Sequence, residues 1–73
     1  MGVRYSARSV RSQRRRLGLS TEDFGKLVGV TALAVHAWEI GKARPRKAKL
    51  AALVAVRRLT KTEALQKLAE LKR

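Results

Sequence analysis

Three glycines, Gly18, Gly29 and Gly41, divide the first part of the chain into short segments, and each closes a stretch with helical apolar spacing. A glycine just past the last periodic residue ends a helix, because it takes the left-handed conformation without a side-chain clash. No strand signal appears anywhere. From about Ser6 the pattern is helical, with Val10 and Leu17 seven apart on one face, up to Gly18. Ser20 followed by Asp23 reads as a capping box with Asp in the usual Glu place, opening a second helix with Phe24, Leu27 and Val28 inward. Thr31 caps a third helix over about 31 to 40, with Val35 and Trp38 as its inward pair and Gly41 as its stop. Pro45 suits the first turn of a fourth helix, whose buried side is Leu50, Leu53, Val54 and Leu59. Thr60 and Glu63 form a second capping box, opening a fifth helix along Ala64, Leu65, Leu68 and Leu71. The expected fold is all-α, a compact bundle of about five helices.

The chain has 73 residues and no Cys. One domain is all that this length supports, and with neither disulfide nor thiolate metal site to help, its core must rest on apolar burial. The reading divides the chain into a basic flexible arm, residues 1–5, and a domain, residues 6–73.

Charge points to the partner. Eighteen Lys and Arg against five Asp and Glu give a net charge of +13. Such a surface seeks a polyanion, and the closely spaced phosphates of nucleic acid absorb that charge while releasing counterions. A membrane fits less well: the longest apolar run, Leu50 to Val56, is far short of the roughly 20 residues that span a bilayer. Tyr5, Phe24 and Trp38 lie far apart and form no interfacial stripe. The N-terminus does not read as a signal peptide, since polar residues and no apolar stretch follow its arginines. The composition also argues against an enzyme. With one His, no Cys and five carboxylates, two of them spent on caps, there is no nucleophile and base pair or metal set, so no cofactor and no small-molecule substrate are expected.

Residues 20 to 41 carry the most specific pattern. Phe24 and Val28 are apolar, Gly25 is small, Gly29 and Val30 make a turn, and Val35 and Trp38 are inward. Gly25 allows a close helix crossing and Gly29 a positive φ, so the two helices form a rigid pair. A rigid pair can present its second helix to a major groove about 12 Å wide. This is the pattern of a helix-turn-helix.

The stretch LGLSTEDFGKLVGVTALAVHAWEIGKARPR, residues 17 to 46, resembles the lambda-repressor and Cro-like helix-turn-helix proteins, the Xre family. The family pattern LGLSQEELAxxLGVSxxTVSxWExGKxxP is met at Leu17, Gly18, Leu19, Ser20, Glu22, Leu27, Gly29, Val30, Val35, Trp38, Glu39, Gly41, Lys42 and Pro45. The resemblance implies a five-helix domain that binds double-stranded DNA, commonly as a dimer, in a cytoplasmic, nucleoid-associated transcriptional regulator of prokaryotic or phage type. It also implies that Arg14 of the first helix bridges Glu39.

The site residues it implies are mixed. At the start of the second helix stand Ser20 and Thr21, the latter where the family usually has a phosphate-binding Gln; Thr21 retains one hydrogen-bond donor. Thr31 and His36 offer polar contacts. The family's base-reading positions correspond to Ala32, Leu33, His36 and Ala37, where Ala and Leu cannot hydrogen-bond a base but can meet a thymine methyl. Sequence specificity is therefore expected to be weak. The phosphate-binding set is large: Lys42, Arg44, Arg46 and Lys47 after the third helix, with Arg8, Arg11, Arg15 and Arg16 on the first.

Two other readings stay open. The apolar Ala32, Leu33 and Ala37 could bind a protein, as in adaptor or antitoxin domains of this fold. RNA is disfavoured by the lack of exposed aromatics for base stacking. A homodimer seam on the fifth helix would use Leu65, Leu68 and Leu71.

Overall fold

The computed structural model describes residues 6–72. The expected arm, residues 1–5, lies outside the described residues. Five helices follow one another: α1 (Ala7–Arg16), α2 (Thr21–Val28), α3 (Ala32–Glu39), α4 (Lys47–Arg57) and α5 (Lys61–Leu71), and no strand occurs among the described residues.

The start signals act through their hydroxyls. Ser6, Ser20, Thr31 and Thr60 each accept a hydrogen bond from the amide three residues on, satisfying a donor that the first helical turn leaves without a partner. At Thr60 the box is reciprocal, because the Glu63 carboxylate accepts from the Thr60 amide at 2.9 Å. At Ser20 only half of the expected box forms. Asp23, one methylene shorter than Glu, pairs instead with Lys72 Nζ at 3.3 Å, which ties the start of α2 to the end of α5.

The α4 start is corrected. Pro45 lies one residue before the cap Arg46 and two before the first helical residue, and its ring is buried. With Leu50 half-buried, the two residues occupy the N′ and N4 positions of a hydrophobic staple, so Pro45 sets the entry of the chain and not the first turn itself.

The core is apolar throughout: Val10, Leu17, Leu19, Phe24, Val28, Val35, Trp38, Val56, Ala64 and Leu68. Phe24, Leu17 and Val35 are the largest side chains wholly withdrawn from water, and no described polar or charged residue is buried. On α4 the innermost residue is Val56, which the periodicity did not single out. Leu53 and Leu59 pack against the core from its edge, whereas Leu50 and Val54 are only half-buried. On α5, Ala64 and Leu68 face inward while Leu65 and Leu71 are exposed. The radius of gyration, 11.3 Å, is that of a compact chain of this length, about 11 Å. Within the bundle α2 is central: it packs most closely on α3 and also meets α4 and α5, while α1 lies across α3.

Candidate nucleic-acid interface

The α2 to α3 turn depends on two glycines. A Cβ on Gly25 would stand 2.6 Å from the Val30 carbonyl oxygen and 3.2 Å from that of Thr31, so only glycine lets the turn close against α2. Gly25 thus admits the turn's backbone more than α3 itself. Gly29 has φ 87°, and its amide and that of Val30 both reach the Gly25 carbonyl, at 2.7 and 2.8 Å. Lys49 of α4 donates to the Gly29 carbonyl at 3.3 Å, placing a cation at the negative end of α2.

Helix α3 is held along its length. Thr31 Oγ1 accepts from the Ala34 amide at 3.2 Å, and Val35 and Trp38 enter the core. The reading of Trp38 as structural therefore stands. At the far end Arg14 grips Glu39 in a fork: Nε donates to Oε2 at 2.7 Å and Nη2 to Oε1 at 3.0 Å. A third donor, Nη1, reaches the Leu19 carbonyl at 3.0 Å. Arg14 and Glu39 side chains are only 19% and 7% exposed, and the hydrogen bond to Glu39 strengthens the guanidinium's hold on its proton, raising its pKa. Beyond the last turn the Lys42 amide donates to the Ala37 carbonyl at 2.9 Å and the Gly41 amide to that of Trp38 at 3.3 Å, the two bonds of a Schellman ending.

This framework leaves one face of α3 outward. Leu33 and His36 are exposed, Ala32 and Ala37 half-buried, and Thr31 exposed just before the helix. Ile40, which the sequence reading did not include, is exposed on the same face; its signal is the spacing of seven residues from Leu33. The helix carries a single acid, Glu39, already held by Arg14. Directly after α3, Lys42, Arg44, Arg46 and Lys47 are all exposed on a segment pinned by the buried Pro45. Ser20 is exposed with its Oγ engaged by the Asp23 amide, and Thr21 is half-buried at the start of α2.

The α1 arginines divide by task. Arg8, Arg11 and Arg15 line a shallow depression with Ser12. Arg16 does not belong with them: Nη1 donates to the Leu59 carbonyl at 3.0 Å and Nη2 to that of Arg57 at 3.2 Å, so it clips α1 to the end of α4. The carbonyls closing a helix attract a cation, and the sequence shows no marker for that long-range bond. Among the described residues there is no group of three or more His, Cys, Asp or Glu able to hold a metal, and no helix is long and apolar enough to cross a membrane.

Comparison with known proteins places this architecture. Neither the curated proteins nor the solved structures gave a match. A family model described as a helix-turn-helix domain matches residues 7–68, from the first helix into the fifth, in agreement with the lambda-repressor-like resemblance and with DNA binding. That match covers most of the 73 residues, and the chain belongs to the helix-turn-helix domain family.

Proposed function

We propose that residues 6–73 form the duplex-DNA-binding domain of a cytoplasmic transcriptional regulator, with α3 in the major groove and residues 1–5 as a basic arm. One observation carries the reading: a locked helix with an outward face free of acid runs directly into four exposed cations, Lys42, Arg44, Arg46 and Lys47. In this arrangement Thr31, Ala32, Leu33, His36 and Ala37 meet the groove, and Ser20 and Thr21 approach the backbone at the start of α2. The mechanism is occupancy of a site on DNA and involves no chemistry. Phosphate contacts supply most of the affinity; with about 5 to 7 of them, log K falls against log salt with a slope of roughly −4 to −6. Pairing of two copies through α5 would run through the exposed Leu65 and Leu71, since Leu68 belongs to the core.

A residue-resolved NMR titration with a duplex of about 15 base pairs tests this. Amide shifts centred on Thr21, residues 31–37 and residues 42–47 support it, and shifts confined to the α1 arginines overturn it. The exposure of Leu33, 80%, and Ile40, 55%, favours a second reading in which α3 docks on a protein. Lys42→Ala with Arg44→Ala separates the two, because it weakens binding to DNA and leaves an apolar protein contact in place.

A further inference from the structure

The outward face of α3 offers carbon where a base-reading helix ordinarily offers hydrogen bonds. Leu33 is more exposed than any other large apolar side chain described, and Ala37 and Ile40 continue its face at helical spacing. None of these, nor Ala32, has a polar side-chain atom. Leaving such a row in water is unfavourable, and what covers it must be apolar at the tip and anionic around it, because Lys42, Arg44, Arg46 and Lys47 follow at once and no free carboxylate interrupts the helix. A duplex major groove meets both conditions: its walls are phosphate, and its apolar feature is the C5-methyl group of thymine.

We infer that α3 discriminates between duplexes by their C5-methyl groups, read through apolar contact in which Leu33 is the principal residue. The inference rests on the proposal that α3 enters the major groove. It names what that helix senses there: methyl groups and not the donors and acceptors of the base edges. The same contact would accept 5-methylcytosine, which presents its methyl at the same edge, and it would pass over unmethylated cytosine. His36, on the flank of the row, remains available for one polar contact.

The test removes methyl groups without disturbing base pairing. The full chain is titrated by fluorescence anisotropy against a mixed-sequence duplex free of A-tracts, against the same duplex with deoxyuridine for every thymidine, and against one with 5-methylcytosine for cytosine. Each contacted methyl lost should weaken binding by about 2- to 4-fold, as follows from roughly 0.8 kcal/mol for a buried CH₂-sized group. Methylated cytosine should strengthen binding by a similar factor. Leu33→Ala should bring the thymidine to deoxyuridine ratio close to one while the salt slope and the helical circular dichroism stay unchanged, since Leu33 packs against nothing in the core. Equal affinity for the two duplexes, with residues 31–37 still shifting in the NMR titration, overturns the methyl reading and leaves α3 in the groove. A ratio that survives Leu33→Ala also overturns it, assigning the preference to duplex shape. Silence of residues 31–37 removes both proposals together.

Discussion

The Arg14 and Glu39 fork is the contact on which the position of α3 most depends, and a double-mutant cycle measures it. The carboxylate is 7% exposed and the guanidinium 19%, with N to O distances of 2.7 and 3.0 Å. Removing one partner of a fully buried pair costs about 3–5 kcal/mol, and exposed pairs contribute about 0–1. This pair lies nearer the buried limit. Arg14→Ala also loses the bond to the Leu19 carbonyl and strands a carboxylate, so about 3 kcal/mol is expected. Glu39→Ala leaves the guanidinium with Leu19 and some water, so about 2 kcal/mol is expected. The double variant should cost about as much as Arg14→Ala alone, a coupling of about 2 kcal/mol. Urea unfolding followed by circular dichroism, at about 0.15 M salt to damp the change in net charge, resolves these differences. A domain of this size has about 4–11 kcal/mol in all, so if Arg14→Ala is unfolded in water the cycle is run with Arg14→Lys, which keeps the charge and loses the fork. A coupling below about 0.5 kcal/mol would refute the argument and make the pair an ordinary surface contact.

Gly25→Ala should destabilise by about 2–3 kcal/mol despite its gain in helix propensity, because the obstruction is backbone; differential scanning calorimetry should show a melting point about 10–20 °C lower. Arg16→Ala should cost about 1–2 kcal/mol in urea and leave the salt slope of duplex binding unchanged, whereas Arg15→Ala should reduce that slope by nearly one if its depression meets a phosphate. The Thr60 amide and hydroxyl hold the Glu63 pKa below its ordinary range. Because the folded value is the lower one, the stabilisation is complete above the unfolded value and disappears as pH falls through the folded value. Glu63→Gln should therefore lower stability at neutral pH and leave it nearly unchanged well below the folded value, which flattens the acid limb of a stability against pH curve.

How much of this was legible in the sequence depended on whether the signal was local. The caps at Ser20, Thr31 and Thr60 and the stops at Gly18, Gly29 and Gly41 involve residues within a few positions of one another, and the five helices follow from them. The resemblance supplied Arg14 with Glu39, a contact across 25 residues that no local rule contains. Three features were not legible. Arg16 reaches backbone carbonyls more than 40 residues away, and carbonyls carry no residue-type signature. In the apolar run from Leu50 to Val56 nearly every position is a candidate for the core, so periodicity alone could not choose Val56 over Val54. Ile40 stands at the cap just past α3, so a periodicity taken within the helix stops short of it, although its spacing of seven from Leu33 is a helical one.

The division of labour within α3 bears on what can be changed. Its scaffold duties fall on Val35, Trp38 and Glu39, while the carbonyl of Ala37 that receives Lys42 belongs to the backbone and is indifferent to the side chain. The exposed positions 33, 36 and 40 can therefore be rewritten without touching the packing that holds the helix, while the half-buried Ala32 and Ala37 are kept. A library varied there would sample new recognition surfaces on an unchanged chassis, and the domain would serve as an exchangeable reading head.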